Sequence, residues 1–362
     1  MTIQHQIGAS PPAPIHPRLA TASTAAPLDS ALSGRASPRP TAHRSGADRT
    51  TPTVRDMNVR RPVSPPFWAL AQLGSRIRAR SPRGLPAPSA PLPAPSEVRI
   101  PTRHGFVRTV VQHPSTSRPD APVVMHLHGG GFVNRYPEQD LHIARAMADR
   151  LGAVVVMPDY DTGPRAHYPI AEEEAFDIAR WVQAQTDAGW SGDQLLLSGV
   201  SAGAKLSINV CQQLHAASLP APVANALVVP VMDVIRTDRT SGIRRPAISP
   251  FVQRFVGWAY FPDVPRRQEP LASPSRDSAL PDATPPTLVL TGGDDTLAPE
   301  GAELVARLRA GGVHTEHHVF IGADHGFIAG RDRAVIVESL NRLTEFFTTQ
   351  LAHQEPNAES VR

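Results

Sequence analysis

Three residue types that together cleave acyl bonds stand far apart in this chain. They are a serine in Gly199-Val200-Ser201-Ala202-Gly203, an acidic pair at Asp294-Asp295, and a histidine, His325, in "GADHGF". A serine hydroxyl becomes a useful nucleophile only beside a base, and an imidazole base needs a carboxylate to hold its tautomer and stabilise its cation. A fourth feature supplies what that chemistry also requires. The run "VVMHLHGGGF" ends in three glycines, whose unencumbered amides can approach the oxyanion formed when serine attacks a carbonyl. Gly130 and Gly131, joined by the amide of Ala202 at a helix start, are the expected oxyanion donors. His128 is read as a hydrogen-bonding partner that fixes the loop rather than as a base. A phosphate-cradling loop is the competing reading, but no Lys-Ser/Thr pair follows the glycines.

The elements that must position these residues follow from periodicity. Apolar β-rich runs at 106–113, 122–128, 153–157, 194–199, 223–231, 287–292 and 313–320 alternate with helical patterns at 139–151, 171–184, 202–217, 299–310 and 332–352. This alternation predicts an α/β fold with a mostly parallel sheet covered on both faces. In such sheets ligands bind beyond the carboxyl ends of strands, where Ser201, the Asp pair, His325 and the glycine loop all fall. The G-x-S-x-G spacing has a mechanical reason too: the serine sits on a tight strand-to-helix turn, and only small neighbours let strand and helix meet.

Composition bounds the rest. Residues 1–100 hold thirteen arginines against four acids and seventeen of the thirty-nine prolines. Such a segment cannot bury enough apolar surface to offset ordering, so 1–54 is expected to be a disordered tail. The stretch "PPFWALAQLGSRIRARSP" has helical apolar spacing, which makes 55–96 a short amphipathic helix packed on the main domain and followed by a Pro/Ala linker. A hydrolytic domain then spans 97–354, and 355–362 is a flexible end. The arginines lack interleaved aromatics, which argues against a nucleic-acid partner, and no apolar run is long enough for stable membrane insertion. A bacterial cytoplasmic location is the expectation; the Arg- and Ser-rich leader leaves organellar targeting open. Cys211 stands alone, so no internal disulfide forms. His314, His317 and His318 do not share one strand face, so no metal site is expected, and no cofactor motif is present. A homodimer is compatible with the sequence.

Together the motifs resemble the hormone-sensitive-lipase-like, HGGG-bearing family of α/β-hydrolases, the bacterial carboxylesterases and acetyl hydrolases. "HLHGGGF", "GVSAG", "MPDYDTGPRAHYPIA", "SPSRDSALPDATPPTLVLTG" and "DHGF" carry the resemblance over roughly residues 100–350. It implies an eight-stranded sheet, a helical cap made from the N-terminal helix of 55–96 and an insertion at about 235–265, and Asp295 rather than Asp294 as the acid. The chain departs from the family pattern at Val200, Ala204, Lys205 and Asp161. The resemblance implies hydrolysis of small-molecule carboxylic esters of short to medium acyl chain through an acyl-enzyme. Phe132, Phe251, Phe255 and Trp258 are candidates for a substrate pocket, with ordinary cap packing as the alternative. Amide or lactone hydrolysis (deacetylase, formamidase, peptidase) by the same triad, or a non-catalytic binding homologue, are the competing functions.

Overall fold

The computed structural model describes residues 82–354, apart from 186–188 and 237. The expected tail at 1–54, the helical part of the 55–96 segment and the end at 355–362 lie outside the described residues.

Eight strands form one sheet in the order β1-β2-β4-β3-β5-β6-β7-β8. In chain order they are β1 (Ser96–Thr102), β2 (Gly105–Gln112), β3 (Pro122–Leu127), β4 (Val154–Pro158), β5 (Ser191–Val200), β6 (Ala224–Val228), β7 (Thr287–Gly292) and β8 (Thr315–Phe320). β2 pairs antiparallel with both β1 and β4, and every other pairing is parallel. The helices are α1 (Leu141–Leu151), α2 (Ile170–Gln183), α3 (Ala202–Ala216), α4 (Pro250–Ala259), α5 (Leu280–Ala283), α6 (Ala298–Ala310) and α7 (Arg333–Ala352).

The seven strands legible as apolar runs are present. β1 is the eighth, and its run is mostly exposed, with only Ile100 buried. An edge strand with polar neighbours and an internal proline has little apolar signature.

Strand pleat explains the two-sided core. Val123, Met125, Leu127, Val156 and Leu197 pack with α2 and α3 on one face. Val124, Val155, Met157, Leu196 and Val228 pack with α1 and α7 on the other. Helix ends are set locally. Gly152 closes α1 in the left-handed conformation, and Asp332 caps α7 by accepting from Ala334 and Val335 amides. α4 begins at Pro250 with Ser249 accepting from the Val252 amide, which places a rigid start on the helix of the 235–265 insertion. The Pro-rich stretch before β1 runs alongside α1, where Ser89 bonds Asp149 through its amide (2.8 Å) and hydroxyl (2.5 Å).

Candidate active site

Ser201 stands between β5 and α3 with φ 55° and ψ −112°, a backbone shape that costs a non-glycine residue energy and persists only where the surroundings enforce it. They do: its amide donates to Val228 O (2.8 Å), and its carbonyl accepts from the Lys205 amide (3.1 Å) as the first turn of α3. The two glycines of the motif are steric requirements. A Cβ at Gly199 would overlap the Gly203 carbonyl, and one at Gly203 would overlap the Leu127 carbonyl.

His325 and Asp295 converge on this serine from the ends of β8 and β7. His325 Nε2 lies 2.8 Å from Ser201 Oγ, and His325 Nδ1 lies 2.9 Å from Asp295 Oδ2. With Nδ1–H donating to the carboxylate, Nε2 is left to accept the serine proton. All three side chains are largely buried. The second oxygen of Asp295 accepts from the Leu297 amide (3.0 Å), which orients the carboxylate at the head of α6. Asp294 points elsewhere: its backbone oxygen accepts from Ser241 Oγ (2.7 Å), and its carboxylate lies beside Gly242. Asp324 also binds in two directions, accepting the His325 amide (2.8 Å) and the Ala247 amide of the insertion (2.7 Å).

The glycine loop is held by its flanks. Gln139 Nε2 donates to Gly129 O (2.8 Å) and Asp140 Oδ2 accepts from the Gly129 amide (3.4 Å), so one dipeptide grips both ends of one residue. Asp140 also faces His126 Nε2 (3.3 Å), whose Nδ1 lies 3.1 Å from Ser198 Oγ. Burial works to raise the Asp140 carboxyl, but the hydrogen bond and nearby histidines win and hold it below the usual range. Gly130 has φ 126° and Gly131 φ 59°, shapes that favour glycine. Among the described residues, none accepts a backbone hydrogen bond from the amides of Gly130, Gly131 or Ala202. His128 lies under the loop, stacked on Tyr160 at 4.3 Å, and Tyr160 Oη donates to its carbonyl (2.6 Å). Burial pushes the His128 imidazole down from its ordinary value.

The aromatic candidates separate into two groups. Phe132 turns inward at φ 59° and is 1% exposed, stacked on Tyr260 (4.8 Å) and edge-on to Phe261 (5.4 Å). Its ring is core rather than an open pocket wall, because the left-handed turn at 131–132 swings the side chain beneath the loop. Phe251, Phe255 and Trp258 form a row along α4, with Phe251 well exposed. The insertion residue nearest the glycines was not singled out by the sequence: Val256 Cγ2 lies 3.1 Å from where a Cβ on Gly131 would be. Its apolar type alone carries no functional signal. Of the histidine cluster, His317 Nε2 bonds Thr291 Oγ1 (2.9 Å), while His314 lies near Glu316 and His318 packs on Phe320.

Beside Asp295 is a cavity of about 330 Å³ whose lining mixes polar Thr240, Asp294 and His317 with apolar Ala298, Pro299 and Val319. No helix among the described residues is long and apolar enough to cross a membrane.

A nucleophile on a strand-to-helix turn, followed in chain order by an acid and a histidine on later strand ends, defines a class of hydrolase fold. A family model described as alpha/beta hydrolase fold matches residues 124–329, over half of the chain, and the chain belongs to that family. An acetyl-hydrolase of Streptomyces hygroscopicus is 29% identical over 199 residues, covering 54% of this chain and 64% of its own length. An ethyl acetate hydrolase of Pseudomonas putida is 27% identical over 247 residues, covering 64% and 75%. Among solved structures, an esterase of Pyrobaculum calidifontis superposes with a TM-score of 0.66 at 25% identity, over 80% of this chain and 92% of that one. These relatives agree with the carboxylesterase resemblance carried by the HGGG and GVSAG motifs.

Proposed function

We propose that this protein is a serine esterase that hydrolyses carboxylic esters of short to medium acyl chain through an acyl-enzyme. The observation that carries the reading is the unbroken line from Asp295 Oδ2 through His325 to Ser201 Oγ, at 2.9 and 2.8 Å. His325 takes the Ser201 proton as Oγ attacks the ester carbonyl. The developing oxyanion is received by the amides of Gly130, Gly131 and Ala202, which need no rearrangement at the moment of reaction. His325 then gives the proton to the leaving alkoxide, releasing the alcohol. Water, deprotonated by the same imidazole, attacks the acyl-serine, and the tetrahedral intermediate collapses to release the acid as His325 returns that proton to Ser201 Oγ. Asp295 keeps the tautomer and stabilises the imidazolium throughout.

Carboxylic ester hydrolysis is the chemistry of the relatives, and the names acetyl-hydrolase and ethyl acetate hydrolase support small acyl groups. Val256, close above Gly131, supports a narrow acyl side for the same reason. The test is hydrolysis of p-nitrophenyl esters from two to twelve acyl carbons by wild type and Ser201→Ala. Activity that peaks at short chains and disappears in the variant is expected. Undiminished turnover by a folded Ser201→Ala protein would overturn the assignment.

A further inference from the structure

The chain contains one lysine, and it is the fully buried Lys205, one turn along α3 from Ser201. Its ammonium has three protons and three acceptors: Glu172 Oε1 of α2 at 2.7 Å, Asn209 Oδ1 of its own helix at 2.8 Å, and Leu271 O at 2.6 Å, in the segment that returns from the cap insertion. Around it stand the rings of Phe132 (5.3 Å), Phe261 (5.6 Å) and Tyr168 (5.9 Å). The second Glu172 oxygen accepts from Tyr260 Oη (2.6 Å), which itself accepts from the Ala171 amide (2.9 Å). Tyr260 is the residue that ends α4, with its amide bonded to Val256 O (2.9 Å) and its ring stacked on Phe132.

The Lys205–Glu172 pair is therefore a node joining four things: the helix that carries the nucleophile, α2, the end of the cap helix, and the residue that follows the oxyanion glycines. A buried ion pair is weak as a source of stability, because hydrophobic residues of similar volume serve about as well. What it adds is geometry: the ammonium fixes three segments at hydrogen-bond distance, where a slack apolar contact would not. Through Tyr260, whose amide closes α4 on the Val256 carbonyl, the pair also reaches the cap helix, where Val256 Cγ2 lies 3.1 Å from the position a Cβ on Gly131 would take.

We infer that Lys205 is a positioning residue that, through Glu172 and Tyr260, sets the separation of cap helix α4 from the oxyanion loop and so limits the acyl length accepted. The inference rests on the serine-esterase reading of the Ser201 site. Lys205→Met alone strands a buried carboxylate and can fail to fold, so the informative protein is Lys205→Met with Glu172→Gln. That pair leaves no unpaired charge and keeps an acceptor for Tyr260.

The experiment measures kcat and KM on p-nitrophenyl acetate, butyrate, hexanoate and octanoate for wild type, the double variant and Val256→Ala, with thermal melts to establish folding. In parallel, wild-type Ser201 is titrated with a p-nitrophenyl alkylphosphonate. The expected result is a tenfold or larger shift of the octanoate-to-acetate ratio of kcat/KM toward octanoate, in the double variant and in Val256→Ala alike. A folded double variant whose rates fall equally on all four esters, or do not change, would overturn the positioning role. So would a Val256→Ala protein with the wild-type ratio, which needs no change at the buried pair and remains decisive if the double variant does not fold. Failure of the phosphonate to label Ser201 in wild type is a separate outcome: it would remove the serine-esterase reading and the inference with it.

Discussion

Gly203, at the start of the nucleophile helix, lies so close to the last residue of β3 that a methyl group on it would overlap the Leu127 carbonyl and stand 2.6 Å from that of His128. The helix bearing Ser201 is thus pressed against the strand end from which the glycine loop departs, and that contact sets Ser201 beside the loop. Gly203→Ala is expected to force the two apart. Overpacking of this kind costs about 1–3 kcal/mol, so the variant should melt lower and lose most of its esterase activity. Differential scanning fluorimetry beside an ester assay checks both.

The acid pair gives a sharper test of geometry. Asp295 faces His325, whereas Asp294 is turned toward the insertion. Asp295→Asn should lower kcat by about 10³–10⁴-fold, because the neutral amide favours the wrong histidine tautomer and cannot stabilise the imidazolium. Asp294→Asn should stay within about threefold of wild type, because its half-buried carboxylate turns toward Gly242 and makes no contact with His325. Steady-state kinetics on one ester separates them, and the reverse order would contradict the site as drawn.

Asp140 touches no reacting atom, yet it grips the residue before the oxyanion glycines. Asp140→Asn keeps the shape of the side chain and weakens the charge-assisted hold on the Gly129 amide. If the loop's placement matters chiefly in the transition state, kcat should fall about tenfold with KM nearly unchanged. A rise in KM at constant kcat would assign Asp140 to ground-state binding.

Two kinds of buried group give stability opposite slopes with pH. Burial pushes the Glu174 carboxyl up to about 7, against the hydrogen bond it accepts from the Asp161 amide (2.7 Å) and the charge of Arg135, with the carboxylates of Asp161 and Asp159 adding to the rise. The folded chain therefore holds more protons than the unfolded one between the ordinary carboxyl value and about 7. Stability is lost as pH rises through that window, by about 3 kcal/mol at full ionisation. Glu174→Gln should therefore melt higher than wild type at pH 8 and about equally at pH 4.5. His128 and His142 have the opposite sign. Burial holds both imidazoles below their ordinary value, so below about pH 6.5 the unfolded chain takes up protons that the folded one refuses, and stability falls with acidity. His142→Gln should flatten that acid limb in a pH series of thermal melts.

Much of this was legible in the sequence because the chemistry sits on strand ends. Ser201, Asp295 and His325 could be named from the spacing around each and from the alternation of strands and helices, and the structure brings the three together. Asp295 over Asp294 came from a family triplet; residue type alone offered no choice. What stayed hidden depends on direction and on distance through space. Phe132 looked like a pocket wall because it follows the glycines, but the positive φ at 131 and 132 turns its ring into the core. Lys205 was visible as an oddity, while its partner Glu172 lies thirty-three residues away on another helix and no periodicity links them. β1 was missed because an exposed edge strand containing Pro101 has almost no apolar alternation.

In the proposed mechanism Ser201 carries the acyl group between the two half-reactions. Mixing the protein with p-nitrophenyl acetate, quenching in acid within the first turnovers and mapping the peptide by mass spectrometry tests it most directly. An acetyl group on Ser201 alone is expected, accompanied by a p-nitrophenol burst of up to one equivalent where deacylation is the slower step. That adduct should be missing in Ser201→Ala. Steady turnover of the ester with the acetyl group on another residue, or undiminished turnover by a folded Ser201→Ala protein, would contradict that mechanism.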